Sequence, residues 1–240
     1  MPPEGFQSFL QRVEALKQAC CLKLYNANRQ SIQIKKEKTI AKNMERIFAA
    51  ALKISNAKSF HAMSMRDLSR EAGMSIGALY NYFEGKEALL RLMQQQRRTV
   101  TREILSADIM AQKDPIEKLR IAIRTHLYLS EIMQPWFYFS YMEAKNLDPE
   151  ERRAAVESEL STEQQFADIL EAGCARDLFQ TEDCRMTASL IKAMLQDWYL
   201  KRAKYARRGI TVDQYARYLT AFLEKNLGVN DDPLRQGGNS

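Results

Sequence analysis

Two short helical segments joined at a glycine constrain this chain more than any other feature. Residues 64–86 read SMRDLSREAGMSIGALYNYFEGK. Ser64 and Ser75 are preferred N-caps, and Gly73 suits the left-handed turn that ends a helix. We therefore predict one helix before Gly73 and a second helix from Ile76 to Tyr82. This pattern is typical of a helix-turn-helix, whose second helix enters the major groove of DNA; a helical hairpin in a protein core is the alternative.

The residues that follow make the pattern more specific. The run LYNYFEGKEALL, residues 79–90, resembles the signature of the tetracycline-repressor (TetR) family of transcriptional regulators, which ends the recognition helix and opens the next helix. The resemblance begins near residues 44–47, and beyond residue 90 it rests on architecture, apart from a run near the C-terminus. It implies an all-α fold, with an N-terminal three-helix helix-turn-helix DNA-binding domain and a six-helix body for ligand binding and dimerisation.

Four segments are expected along the chain. Residues 1–37 form an N-terminal extension, with an amphipathic helix at residues 5–25 and then a linker. Residues 38–85 form the DNA-binding domain, residues 86–228 the body, and residues 229–240 a disordered polar tail. Many members of the resembled family lack so long an extension. Its helix either packs on the body or exchanges between subunits.

Proline and capping residues mark the predicted helices of the body. Asp114-Pro115 and Asp148-Pro149 each place an N-cap before a proline at the first helical position. Thr211 and Gln214 have the spacing of a capping box. The predicted body helices are residues 86–111, 115–134, 135–146, 149–176, 181–208 and 212–228.

Positive charge coincides with the helix-turn-helix. Residues 35–98 contain 13 Lys and Arg against 6 Asp and Glu, a net charge of +7, whereas the whole chain carries +6. DNA affinity depends on cations that displace counterions from phosphates. A solvated surface of mixed charge, the alternative, explains the total charge of the chain but not why the positive charge coincides with the helix-turn-helix. The charge distribution therefore favours a DNA-binding segment.

Several classes of protein do not fit the composition. No apolar run approaches the roughly 18 residues needed to cross a bilayer, and no signal peptide is recognisable, so we expect a cytoplasmic protein without membrane contact. The four cysteines match no zinc or redox spacing, and the chain has only two histidines. We expect reduced thiols, no metal, no cofactor and no enzymatic activity.

The candidate DNA-binding residues lie in and around the second motif helix. Side chains in the N-terminal turn of such a helix contact the bases. None of the residues at positions 75–78 has a side chain that can form two hydrogen bonds with one base. Specificity for the DNA sequence is therefore expected to depend also on Arg66, Asn81 and DNA shape. The candidates are Arg66, Ser75, Ile76, Gly77, Ala78, Tyr80, Asn81, Tyr82 and Lys86.

The family resemblance assigns roles to some of these residues. It implies that Arg66 reaches a base edge or a phosphate and that the hydroxyls of Tyr80 and Tyr82 contact phosphates or bases. A solvated side chain is the alternative for Arg66. Core packing is the alternative for either tyrosine, but so short a helix is not expected to bury both. Lys86 begins the next helix, where its ammonium and the helix dipole can hold a phosphate together.

A dense aromatic segment at residues 133–142 is the candidate ligand-binding region. It is apolar on too many faces for a surface helix, and ligand pockets are mostly apolar with a few polar anchors. A packed core or a dimer contact is the alternative. The candidate ligand-binding residues are His126, Tyr128, Met133, Trp136, Phe137, Tyr141 and Trp198.

A basic run near the C-terminus suggests a ligand class. The run QDWYLKR at residues 196–202, with the cations at 204, 207 and 208, resembles the C-terminal part of family members that sense acyl-CoA or related ligands. An aromatic channel would accept the acyl chain, and cations would hold the coenzyme phosphates. Stabilisation of a helix C-terminus by cations is the alternative.

The sequence thus predicts a ligand-responsive transcriptional repressor that binds a palindromic operator as a homodimer, with a small hydrophobic effector such as an acyl-CoA. Helices 182–208 and 212–227 would pair with their twofold mates. The apolar candidates for that interface are Leu190, Ile191, Met194, Leu195, Tyr215, Tyr218, Leu219, Phe222 and Leu223. An activator of the same fold and a helical adaptor without DNA contacts remain alternatives.

Overall fold

The computed structural model describes residues 6–27 and 37–229. Within these residues the chain is all-α, with eleven α-helices, one 3₁₀ helix (Ala144–Asn146) and no strand. The helices are α1 (Phe6–Ala27), α2 (Glu37–Lys58), α3 (Met65–Ala72), α4 (Ile76–Tyr80), α5 (Lys86–Met110), α6 (Pro115–Ile132), α7 (Gln134–Glu143), α8 (Pro149–Cys174), α9 (Cys184–Leu200), α10 (Arg202–Arg207) and α11 (Val212–Asn226). The predicted all-α fold with an N-terminal helix-turn-helix is confirmed. The predicted tail, from residue 230, and the linker at residues 28–36 lie outside the described residues.

Local signals placed most helix boundaries within a few residues. Thr211 and Gln214 form the predicted capping box at the start of α11: the Thr211 hydroxyl accepts from Gln214 N at 3.2 Å, and Gln214 Oε1 accepts from Thr211 N at 2.8 Å. The amphipathic helix predicted at residues 5–25 is α1, which buries Phe9, Val13 and Leu24. The periodicity of apolar residues predicted this helix because those residues lie on one face.

The predicted helix at residues 181–208 is wrong in two respects. Asp183 caps α9 in place of Thr181, because its Oδ1 accepts from the backbone N–H groups of Arg185 and Met186 at 2.9 Å each. The helix also breaks at Lys201, so residues 202–207 form the separate helix α10. The Asp197 carboxylate accepts hydrogen bonds from Lys204 and Tyr205 across this break. The body of the described chain therefore has seven α-helices, one more than predicted.

The chain divides into two compact units. Unit 1 comprises Met1–Ile104 and Tyr128–Glu159, and unit 2 comprises Leu105–Leu127 and Leu160–Ser240. The core of unit 1 includes Met44, Ile47, Phe48, Met63, Leu68, Leu79, Leu89 and Met93. The core of unit 2 includes Leu105, Leu119, Phe166, Ile191, Leu195 and Trp198. Each unit is thus built around its own apolar core.

Helix α11 contacts α9 in unit 2 through Tyr215. The Tyr215 hydroxyl on α11 donates to the Met194 carbonyl on α9 at 2.7 Å, and the Tyr215 ring is 5.1 Å from that of Trp198. Four residues predicted to face a partner subunit are instead buried within unit 2, because they lie on the inner faces of these helices. They are Ile191, Leu195, Leu219 and Leu223. Among the described residues, no helix is long and apolar enough to span a membrane.

Candidate nucleic-acid interface

The turn between α3 and α4 is fixed by a glycine and an arginine. Gly73 has φ 61° and ψ 37°, the left-handed conformation predicted for it. Arg46 on α2 donates through Nη2 to the carbonyl oxygens of Ala72, at 2.7 Å, and Gly73, at 3.3 Å. These carbonyls end α3 and lack partners within the helix. The guanidinium therefore stabilises the turn, a role that the sequence alone did not reveal.

Both predicted N-caps form. The Ser64 hydroxyl accepts from Asp67 N at 3.1 Å, and Asp67 Oδ2 accepts from Ser64 N at 3.0 Å, which makes a complete capping box. Hydrogen bonds from Lys58 and then Ser64 hold the pKa of the Asp67 carboxyl well below its usual range. Ser75 caps α4 by accepting from Ala78 N at 3.1 Å. The caps matter because α4 has only five residues and is too short to be stable alone.

The N-terminal turn of α4 is open to solvent. Ser75, Ile76 and Gly77 are exposed, and a Cβ built on Gly77 would have no atom within 4 Å. Ala78 is half-buried, and Leu79 is fully buried and anchors the helix in the core. This turn therefore presents backbone and small side chains outward, as a helix that approaches a groove closely requires.

The two tyrosines of the motif differ in their surroundings. Tyr80 is 49% exposed, whereas Tyr82 is only 8% exposed. The Tyr82 hydroxyl accepts from Asn43 Nδ2 on α2 at 2.7 Å, and its ring lies 5.7 Å from that of Tyr25 on α1. Helix α4 ends at Tyr80, two residues before the predicted end, so Tyr82 lies just after the helix. The burial of this ring and its hydrogen bond with Asn43 favour the core-packing alternative for Tyr82, and its contact with DNA stays a prediction.

Lys86 stands at the start of α5, as predicted, but its ammonium is partly engaged. Nζ donates to the carbonyl oxygens of His61, at 2.7 Å, and Met63, at 2.8 Å. These bonds tie α5 to the loop that precedes α3. An ammonium has three N–H groups, so the geometry leaves one for the predicted phosphate contact. The structural role of Lys86 could not be found from the motif, because the accepting carbonyls lie more than twenty residues upstream.

The exposed cations on α3 and on the neighbouring face of α2 are not equivalent. Arg70 donates to Asp67 Oδ1 at 2.9 Å, and Lys53 lies 2.6 Å from Glu71 Oε1. Arg66 is exposed and has no ion pair among the described residues. Asn81, just after α4, is exposed too. Arg66, Asn81, Tyr80 and the turn at residues 75–77 are therefore the candidates most accessible to DNA.

The candidate ligand residues of unit 1 are mostly buried. They are Tyr128, Met133, Trp136 and Phe137. The Trp136 ring meets that of Phe48 on α2 edge-on, at 5.4 Å. Tyr141 is 55% exposed, which does not fit a pocket-lining residue. Near the C-terminal end of α7 the buried residues are Phe139 and Glu143. The Phe139 ring packs against that of Phe60, and Glu143 Oε1 accepts a hydrogen bond from Phe60 N at 3.3 Å.

Unit 2 contains the other two candidates, His126 and Trp198, both fully buried. The ring of Trp198 stacks on that of Tyr205, with 5.1 Å between the ring centroids. The Arg202 guanidinium lies 4.7 Å from the centroid of the Trp198 ring. His126 Nε2 is 3.5 Å from Nζ of Lys192 on α9, and Lys192 is itself buried. Lysine is rarely buried, so Lys192 is an unusual residue of the core of unit 2. Sequence reasoning missed Lys192, since nothing in the periodicity of α9 marks it.

Two family models match the chain. Residues 47–93 match the one described as "Bacterial regulatory proteins, tetR family", and residues 112–222 match "Tetracyclin repressor-like, C-terminal domain". The chain is 20% identical, over 82% of each protein, to the HTH-type transcriptional regulator HbdR of Aromatoleum sp. (strain CIB). A tetR-family regulatory protein from Rhodococcus RHA1 is similar in structure, with a TM-score of 0.68, 22% identity, and coverage of 79% of this chain and 99% of that one. AibR, solved in complex with isovaleryl coenzyme A and operator DNA, has a TM-score of 0.67, 19% identity, and coverage of 75% and 97%.

Proposed function

Since the chain belongs to the TetR family of transcriptional regulators, we propose that it is a ligand-responsive repressor that binds a palindromic operator as a homodimer. The observation that carries this proposal is the solvent-facing turn at residues 75–77, which the Ser75 cap and the Gly73 turn hold in place. No protein atom lies within 4 Å of a Cβ built on Gly77. DNA would cover that surface, with Arg66, Tyr80 and Asn81 around it. An activator of the same fold differs only in where its operator lies.

The surface of α9 and α11 supports the homodimer. Four large apolar side chains on these two helices are exposed: Met186, Leu190, Tyr218 and Phe222. Each helix contributes two of them, spaced four residues apart and hence on one helical face. An apolar patch on adjacent helices is typical of a protein–protein contact. A twofold interface would place each patch against its copy.

Residues of unit 2 also support the proposal that the effector is an anion with an apolar part. His126 and Lys192 place two nitrogen-bearing side chains in the buried part of unit 2, and Lys201, Arg207 and Arg208 are exposed around α10. An acyl-CoA has this composition, with a carbonyl, an apolar chain and phosphates. AibR, a structural neighbour, binds isovaleryl coenzyme A. We infer that the effector is an acyl-CoA and that it releases DNA by binding the released state more tightly.

Operator binding is expected to be specific, twofold-symmetric and strongly salt-dependent. DNase I footprinting on the DNA that flanks the protein's own coding region should show a protected inverted repeat, with half-sites about one helical turn apart. Affinity for that repeat should fall at least about tenfold between 50 and 200 mM salt, because phosphate contacts release counterions. A helical adaptor without DNA contacts would protect no sequence. A repeat that overlaps the promoter favours repression, and one upstream of it favours activation.

Acyl-CoA binding is expected to raise the melting temperature and weaken operator binding. Isovaleryl-CoA, octanoyl-CoA and palmitoyl-CoA are suitable probes, with free coenzyme A as the control for phosphate binding alone. Lys192→Met should weaken binding of the preferred acyl-CoA about tenfold, since a hydrogen bond to a charged group is lost. Lys113→Met, which removes an exposed lysine of the same unit, should leave it unchanged. The absence of any shift with all three acyl-CoAs would reject this effector class.

A further inference from the structure

Helix α1 precedes both stretches that match the family models, yet it is an integral part of unit 1. It buries Phe9, Val13, Cys20, Cys21, Leu24 and Tyr25 against its neighbours. At 22 residues it is about 33 Å long, since an α-helix rises about 1.5 Å per residue. So long a helix can contact elements that are far apart in unit 1.

The C-terminal end of α1 reaches the segment that directly follows the recognition helix. Tyr25 is buried, and its ring centroid lies 5.7 Å from that of Tyr82, which follows the last residue of α4 by two positions. On another side, Asn43 of α2 donates to the Tyr82 hydroxyl at 2.7 Å. Tyr82 is therefore held by two helices. Because α4 is too short to be stable alone, contacts that hold Tyr82 constrain the backbone just after the C-terminal end of α4.

The middle and the N-terminal end of α1 are fixed to other helices. The buried Gln96 on α5 donates through Nε2 to the Lys17 carbonyl, at 3.0 Å, and to Cys21 Sγ, at 2.7 Å. At the N-terminal end, the rings of Phe6 and Phe9 meet that of Tyr128 on α6 edge-on, at 5.1 and 5.5 Å. Aromatic pairs at these distances stabilise beyond the apolar area that they bury. Three separate contacts thus fix α1 along its length.

We propose that α1 positions the recognition helix for DNA, with Tyr25 as the positioning residue that acts through Tyr82. In this arrangement α4 is linked to α5 twice: directly through residues 81–85 of the chain, and through Tyr82, Tyr25 and Gln96. The second route limits the directions that α4 can take, so that its N-terminal turn is held in one orientation before DNA is bound. The functional part of this inference rests on the proposed operator binding.

Replacing Tyr25 with leucine is expected to weaken operator binding about tenfold. Leucine retains apolar volume but removes the ring that holds Tyr82, and an aromatic pair contributes up to about this factor. Tyr25→Phe, which keeps the ring, should stay within about twofold of the original affinity. Gln11→Ala, on the exposed face of α1, is the matched control and should have no effect. Dissociation constants would be measured by fluorescence anisotropy on the footprinted repeat.

Hydrogen exchange separates positioning from general loss of structure and does not require DNA. In Tyr25→Leu, amides of residues 76–83 should exchange faster, while those of α9 and α11 keep their rates. Unchanged exchange and affinity in Tyr25→Leu would overturn the proposal. If the leucine variant does not fold, Gln96→Leu tests the same link from α5, and unchanged affinity there overturns it equally. If the unmodified protein binds no DNA, the proposed function fails, whereas the exchange experiment still decides whether α1 holds α4.

Discussion

Replacing Gly77 with glutamate is expected to reduce operator affinity at least about a hundredfold while leaving the fold intact. A Cβ at this position meets no atom within 4 Å, and the backbone of Gly77 is not in the left-handed region, so any side chain fits the free protein. Glutamate also has a higher helix propensity than glycine. In the complex, however, the new carboxylate would occupy the space that the groove needs and face the phosphates. Juxtaposed like charges cost several kcal/mol, which is about a hundredfold or more in affinity.

The change at Gly77 has a matched control in unit 2. Ala107→Glu adds the same carboxylate to an exposed position of a helix remote from the motif in sequence. It should leave operator affinity within about twofold, and both variants should keep the far-UV circular dichroism spectrum of the original chain. Anisotropy titrations at one fixed salt concentration give the comparison. Undiminished affinity in Gly77→Glu would show that another surface contacts DNA.

How much of the candidate DNA-binding site could be predicted from the sequence depends on how far apart its contacting residues lie in the chain. Ser64, Gly73 and Ser75 were predicted correctly because caps and left-handed turns depend on a few adjacent residues. The contacts of Arg46 and Asn43 were not predictable, since their partners lie 26 to 39 residues away. Tyr82 shows the consequence. Its position in the motif suggested DNA, but its burial depends on α1, which the motif does not include.

The predicted ligand region shows a different limit. Aromatic density at residues 133–142 correctly indicated burial for Trp136 and Phe137, because large apolar side chains are rarely left in water. It could not distinguish a pocket from a packed core, and it gave no sign that Tyr141 is exposed. Lys192 was missed for the opposite reason, since a lysine in a helix is expected on the surface. Only the fold brings it within 3.5 Å of His126.

The proposed dimer surface follows from what remains exposed once the core of unit 2 is assigned. Periodicity marked nine apolar residues in α9 and α11 without separating their two faces. In the structure four of them are buried inside the subunit, whereas Leu190 and Tyr218 are 58% and 76% exposed. Leu190 lies one turn after Met186, and Tyr218 one turn before Phe222. These four side chains would form the apolar centre of a four-helix interface made of α9 and α11 from two subunits. Because of the twofold axis, each substitution would appear on both sides of that interface.

Leu190→Glu combined with Tyr218→Glu is therefore expected to convert the proposed dimer to a monomer. Four carboxylates would enter one apolar interface, where unpaired charges are strongly unfavourable. Light scattering coupled to size-exclusion chromatography should show half the mass, and operator affinity should fall at least about a hundredfold, because a monomer reaches only one half-site. Met110→Glu is the control, since Met110 is 81% exposed and lies outside α9 and α11. A double variant that stays dimeric would place the interface elsewhere. A monomer that keeps full operator affinity would instead refute the requirement for twofold binding.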